Sequence, residues 1–181
     1  MSAILKLHDL TFQPFISAQA INARVLELAN TLSRDYAGKE PVFLAILNGS
    51  FIFAADLVRA FSGKCITSFV KLASYQGVSS SGEINTLIGM NFSLKDRHVI
   101  IVEDIIDSGL TMQNLLLRVK ELNPASVAII SLLVKPDELA VPLDIDYCGF
   151  EIPSLFVVGY GMDYNELGRN LPGIWQLMVE E

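Results

Sequence analysis

At 181 residues the chain is long enough to bury one core beneath covering helices, and a single domain over residues 1–181 is expected. Its 51% hydrophobic and 18% charged residues argue against disorder and suit a buried parallel sheet. A net charge of −7 repels a phosphate backbone, and no apolar run reaches the roughly 18 residues a bilayer demands, so neither a nucleic-acid partner nor a membrane is expected.

The first ten residues lack a basic segment followed by an apolar one, and a cytoplasmic location is expected. Ile21, Val25, Leu28, Leu32 and Tyr36 recur at three- and four-residue steps, which predicts an amphipathic helix over about 17–37, stopped by Gly38. Residues 42–47 form a continuous apolar run that reads as a strand. Asn48-Gly49-Ser50 is then a turn, and residues 51–61 are a second helix ended by Gly63. Residues 66–72 read as a strand, after which ASYQGVSSSG (73–82) is too rich in serine and glycine to pack and predicts a mobile loop.

Residues 99–102 are short and wholly apolar, as a central parallel strand should be, and Met112, Leu115, Leu116 and Val119 mark the face of a following helix. Asn123-Pro124 ends that helix. Residues 127–134 are the next buried strand, followed by Lys135-Pro136 and by short strands near 147–150, 155–158 and 174–179. Alternation of strand and helix predicts a right-handed, mostly parallel α/β sheet with helices on both faces and its ligand site at the carboxyl ends of the strands. No repeat or interdomain linker is visible.

Cys65 and Cys148 stand alone in apolar stretches, and only His8 and His98 occur, which leaves little for a zinc site, a disulfide framework or histidine-centred catalysis. The chemistry concentrates instead in residues 103–111, between a buried strand and a helix. Ser108 and Gly109 are small enough for successive backbone N–H groups to turn towards one point, making a phosphate cradle to which Thr111 adds a hydroxyl. Glu103 and Asp104 offer adjacent carboxylates suited to vicinal sugar hydroxyls, and their hard oxygens suit Mg2+. With Asp107 they make three carboxylates around one turn, more than a helix cap needs, since clustered like charge is costly unless a cation or ligand offsets it.

VEDIIDSGLT, residues 102–111, resembles the PRPP-binding (5-phosphoribosyl 1-diphosphate) signature of type I phosphoribosyltransferases, and specifically their hypoxanthine-guanine branch. The resemblance extends over most of the chain, through LNGS (47–50), the Ser74-Tyr75 loop, LLVKP (132–136) and GFEIPSLFVVGYGMDYNELGR (149–169). It implies the type I phosphoribosyltransferase fold, with a small hood built from the N-terminal and C-terminal segments. It further implies that Glu103 and Asp104 hold the ribose hydroxyls, and that Asp107, Ser108, Gly109, Leu110 and Thr111 wrap the 5'-phosphate.

By the same resemblance Asp107 faces the purine N7 as the catalytic group, Lys135 binds the 6-oxo group, Phe156 stacks on the base and the Val157 backbone reads its edge. Asp163 is similar to a second metal contact beside the purine, so that Glu103, Asp104 and Asp163 are the implied Mg2+ ligands. Asn48, Gly49 and Arg169 are similar to the pyrophosphate-binding residues, the planar guanidinium being well matched to that group. Many relatives carry a basic residue where Asn48 stands, which removes one cation from the leaving-group site. Ser74 and Tyr75 are similar to a lid that closes over PRPP to exclude water.

The implied function is purine salvage: transfer of the phosphoribosyl group from PRPP to hypoxanthine or guanine, by a homodimer or homotetramer. A xanthine-preferring enzyme and a PRPP-binding regulatory protein without turnover are the alternatives. A phosphoacceptor receiver domain also sets acids and a lysine at strand ends, but it is shorter and lacks this phosphate turn.

Overall fold

Two short strands, β1 (Leu5–Leu7) and β2 (Leu10–Ile16), pair antiparallel across a turn in which His8 has φ 50°. The computed structural model describes residues 4–73, 85–88 and 93–178. Ser17, whose side chain accepts from the Ala20 amide at 3.2 Å, caps helix α1 (Ala18–Asp35), and Ile21, Val25, Leu28 and Leu32 form its buried stripe. The apolar run Val42–Leu47 is β3, and α2 (Phe51–Ala60) follows directly. Next come β4 (Ile66–Ala73) and β5 (Asn85–Ile88), then β6 (His98–Ile106), α3 (Leu110–Glu121) and β7 (Ser126–Val134). A 3-10 turn at Pro136–Glu138 leads to β8 (Tyr147–Glu151), β9 (Val157–Val158) and β10 (Ile174–Leu177).

The main sheet runs β5-β4-β3-β6-β7-β8, with β5 antiparallel to β4 and every other neighbour parallel. Side-chain alternation divides its two faces. Phe43, Ala45, Ile100, Val102, Ile130 and Leu132 pack with α1 and α2, whereas Val42, Leu44, Val99, Ile101 and Ile129 pack with α3. Both layers are thus filled from strands that are apolar at nearly every position, as a sheet covered on both sides requires. The open edge at β8 is partly covered by Arg24 of α1, which donates to the carbonyls of Gly149 at 2.9 Å and Cys148 at 2.8 Å.

β1, β2, β10 and β9 make a second, antiparallel sheet in that order, and Leu7, Phe12 and Val158 form its own small core. It is the hood expected from the two ends of the chain.

Five strands differ from the sequence reading. β1, β2 and β5 carry no clear apolar run, and their pairing partners supply what local pattern does not. β6 continues beyond the apolar residues to Ile106, because the parallel ladder with β7 persists from Glu103 opposite Ser131 to Ile106 opposite Val134. The carboxylates Glu103 and Asp104 therefore sit within the strand, held by its hydrogen bonds, and do not lie in a loop beyond it. The predicted strand at 155–158 shortens to Val157–Val158, leaving Phe156 outside the ladder and 44% exposed.

The chain leaves β3 towards β4 on one side and later returns across it to build β6, β7 and β8 on the other. The carboxyl ends of β3 and β6 consequently flank the point where strand order reverses. In open α/β sheets that crevice is where ligands bind.

Candidate active site

At this crevice the turn after β3 meets the end of β6. The Leu47–Asn48 peptide bond is cis, and Gly49 lies so close to Asp104 that a Cβ added there would overlap the carboxylate. Glycine is the residue that leaves room for this carboxylate. Asn48 is exposed, and its carbonyl accepts from the Phe51 amide at 3.3 Å.

Beyond β6 the chain turns through Asp107, Ser108 and Gly109 into α3. Gly109 sits just outside the helix at φ 76°, a left-handed conformation that a side chain would strain. The first turn of α3 contains no acidic residue, so its N–H groups and the positive end of the helix dipole are uncompensated by the helix itself. A cavity of about 300 Å³ opens over this turn, lined by Glu103, Asp107, Ser108, Gly109 and Thr111 among others. Leu110 turns its side chain outward at 48% exposure and does not line this cavity.

A second cavity of about 300 Å³ adjoins the first, since Ile105 and Asp107 line both. It gathers Gly49, Asp104, Lys135, Phe156, Val157, Asp163 and Arg169, residues from five separate stretches of sequence. Lys135 follows β7, and its amide donates to Ile106 O at 3.0 Å, which ties the lysine to the end of β6. Its ammonium pairs with Asp107 at 2.6 Å and is only 13% exposed. Arg169 pairs with Asp163 at 2.7 Å and donates to Gly161 O at 2.7 Å, while Asp163 also accepts from the Glu166 amide at 2.7 Å.

Phe156 forms a wall. Its ring is backed by Phe12, with centroids 6.2 Å apart, and by Tyr164 in a T-shaped contact at 5.8 Å. An aromatic ring supported from behind yet substantially exposed is suited to stacking on a flat ligand. Val157 is buried, and its place opposite Gln176 in the hood sheet fixes the adjoining backbone.

Glu103 is electrostatically perturbed. Burial, and then the charge of neighbouring Asp104, pushes its carboxyl well above the usual carboxylate range. Such a donor pair gains from a nearby cation, and two carboxylates completed by a ligand's own oxygens are a normal Mg2+ environment. Among the described residues no three acidic, histidine or cysteine side chains are grouped to hold a metal by themselves, Asp163 being engaged by Arg169 and the Glu166 amide. The fit is therefore to a magnesium ion shared with a phosphorylated substrate.

The structure thus brings Glu103, Asp104, Asp107, Ser108, Gly109, Thr111, Lys135, Phe156, Val157, Asp163, Gly49 and Arg169 to two connected cavities, and leaves Leu110 outside both. Asn48 does not line either, and Ser74 and Tyr75 lie outside the described residues. Ile105 and Met162 line the second cavity without having been singled out, as apolar residues in apolar stretches give no signal of a ligand. Phe12 and Tyr164 were missed because their role is to support Phe156, which only tertiary packing reveals.

The phosphoribosyl transferase domain model matches residues 16–165. The hypoxanthine-guanine phosphoribosyltransferase of Streptococcus pneumoniae is 44% identical over 166 residues, spanning 91% of this chain and 92% of that one. Among solved structures, a hypoxanthine-guanine phosphoribosyltransferase from Bacillus anthracis superposes with a TM-score of 0.86 at 38% identity, covering 92% of this chain and 96% of that one. A hypoxanthine phosphoribosyltransferase from Staphylococcus aureus gives 0.87 at 34% identity, covering 91% and 90%. With the switch-point crevice, the glycine turn into α3 and the Lys135–Asp107 pair already in place, these matches mean that the chain belongs to the type I phosphoribosyltransferase family, in its hypoxanthine-guanine branch.

Proposed function

We propose that the chain transfers the 5-phosphoribosyl group of PRPP to hypoxanthine or guanine, releasing pyrophosphate, in cytoplasmic purine salvage. The observation that carries this reading is the pair of adjoining cavities with Asp107 common to both: a backbone cradle for a phosphate on one side, an aromatic wall with a lysine on the other. No helix among the described residues is long and apolar enough to cross a membrane. Its subunits are proposed to associate as a homodimer or homotetramer, which sedimentation would measure.

In this reading the Ser108–Thr111 turn binds the 5'-phosphate and orients the sugar, while Glu103 and Asp104 accept hydrogen bonds from its two hydroxyls. The purine enters against Phe156, with its edge on the Val157 backbone. Lys135 has three N–H donors and uses one on Asp107, so it can hold Asp107 and the purine 6-oxo group together. That linkage sets Asp107 beside the imidazole ring of the base.

A ring nitrogen then forms a bond to the ribose anomeric carbon as the bond from that carbon to the pyrophosphate oxygen breaks. Positive charge grows on the sugar, where the carboxylates of this strand end favour it, and negative charge grows on the leaving group. Arg169 has N–H groups beyond those given to Asp163 and Gly161, and these meet pyrophosphate together with the turn at Asn48 and Gly49. Asp107 accepts the proton that the purine sheds as its ring nitrogen bonds to the sugar, and releases it to solvent with the products. Mg2+, when bound at Glu103 and Asp104 with contact towards Asp163, would supply neutralising charge for the pyrophosphate.

A steady-state assay of hypoxanthine, guanine and xanthine, each with PRPP and Mg2+ and reading nucleotide and pyrophosphate together, tests the proposal. Equal amounts of both products from a 6-oxopurine are expected. Formation of neither, from any of the three bases, would overturn it.

A further inference from the structure

The turn between β1 and β2 grips the loop that follows Asp163. Asp9 Oδ1 accepts from the Tyr164 hydroxyl at 2.8 Å, and His8 Nε2 lies 3.1 Å from the Asn165 carbonyl, across more than 150 residues of sequence. Both partners are conformationally unusual. His8, Asn165 and Glu166 have φ values of 50°, 46° and 72°, left-handed conformations that cost non-glycine residues energy and persist only where the surroundings hold them. The two strained turns are fastened to each other at two points.

What this fastening holds is the purine side of the cavity. Tyr164 packs on Phe156 with the two ring planes at 86°, and the same loop directs Asp163 through the Glu166 amide and Arg169. The loop is further closed by reciprocal bonds between Tyr164 and Leu167, at 2.9 and 3.1 Å. Nothing in the β1–β2 turn lines either cavity, so any effect it has on the reaction is exerted through Tyr164.

We infer that Asp9, with His8 beside it, is a positioning residue: the β1–β2 turn latches Tyr164 and thereby sets the Phe156 wall on which the purine stacks. The inference rests on the proposed function for its substrate but on the structure alone for its geometry. The latch acts on the base, because Phe156 and Asp163 lie on that side. The phosphate cradle at Ser108–Thr111 belongs to β6 and α3 and is outside its reach.

Asp9→Ala and Tyr164→Phe each remove the hydroxyl bond while keeping the aromatic ring, and Asp9→Asn retains an oxygen that can accept it. We expect Asp9→Ala and Tyr164→Phe to raise KM for the purine about fivefold, as loss of one such bond would, with KM for PRPP and kcat within about twofold. Asp9→Asn should restore the purine KM. Hydrogen exchange at the Glu166 and Leu167 amides, measured on the same proteins without substrate, should quicken in the first two variants and not in the third. The fluorescence melt of the single tryptophan, Trp175, which packs in the hood core, checks that the hood remains folded. Equal rises in both KM values, unchanged purine KM, or unchanged exchange at Glu166 and Leu167 would overturn the latch. Were the wild-type protein to turn over no purine, the functional reading would fall, and the exchange measurement would still decide whether the latch exists.

Discussion

Replacing Lys135 with methionine keeps an unbranched chain of similar length and removes the ammonium. The side chain is 13% exposed, so its stem is already packed and the thioether can occupy the same path. Two interactions disappear: the 2.6 Å pair with Asp107 and the proposed bond to the purine 6-oxo group. The first costs little stability, since Asp107 is 56% exposed and water can replace the lysine. The second is a charge-assisted bond in a walled cavity, worth about 1.5–3 kcal/mol, which corresponds to a roughly 10- to 100-fold rise in KM for hypoxanthine. PRPP is held on the other side of Asp107, and its KM should move less than about threefold.

The choice of base provides a sharper reading of the same variant. Lys135 is a donor only, so it favours a 6-oxo acceptor and disfavours a 6-amino group, and a site built on one hydrogen bond discriminates strongly against a ligand that cannot make it. Competition by adenine against hypoxanthine should therefore strengthen relative to the wild-type protein. Steady-state kinetics with both bases measures this directly. An unchanged KM for hypoxanthine together with unchanged adenine competition would refute the assignment of Lys135 to the 6-oxo group.

Asp107→Asn should lower kcat by about tenfold or more if the carboxylate moves a purine proton; unchanged kinetics would remove that role. Gly49→Ala sets a Cβ into the Asp104 carboxylate, and the resulting shift of the turn should lower kcat/KM for PRPP roughly tenfold or more, which a PRPP titration would show. Tyr160 is buried and donates to Asp56 at 2.7 Å; burial, then that hydrogen bond and the Asp56 charge, raises its hydroxyl pKa above the usual tyrosine value. Because the unfolded chain ionises near pH 10 and the folded one resists, the contribution of Tyr160 is fully present below pH 10 and is lost as pH rises beyond it. Urea midpoints should place Tyr160→Phe about 1 kcal/mol below wild type at pH 7, with the gap narrowing above pH 10.

Legibility followed the source of each residue's constraint. β3, the first half of β6, and β7 are apolar at nearly every position because both sheet faces are covered, and that pattern is visible in any window. The turn at Asp107–Gly109 was legible because small residues and acids together have few structural uses. The last residues of β6 were not legible, since Glu103 and Asp104 interrupt the apolar run while the ladder to β7 continues beneath them. The hood was harder still. β1 is three residues long and β9 two, and the sheet they edge exists because β2 and β10, from opposite ends of the chain, pair between them. Phe156 in Leu-Phe-Val-Val reads as core by composition. Only its position outside the ladder turns it into a wall, and local sequence does not specify where a ladder stops.

The charge distribution joins these observations to the chemistry. A chain of net charge −7 must attract a substrate carrying several negative charges, yet the two cations of its second cavity, Lys135 and Arg169, are each paired with an aspartate. The side-chain cations of that cavity are therefore already compensated by the protein before PRPP arrives. The uncompensated attraction there comes from the backbone of the first turn of α3, which contains no acid, and would come from any cation held by Glu103 and Asp104, where burial and then the Asp104 charge already raise the Glu103 carboxyl. Such a site discriminates by order. Before substrate arrives, its aspartates satisfy its cations and little else binds tightly. Once a metal-bearing sugar phosphate occupies the turn, the remaining donors of Lys135 and Arg169 face a ligand that can use them, and the purine is offered a completed pocket. PRPP with its metal should accordingly bind before the base, and the purine should bind weakly to the protein alone.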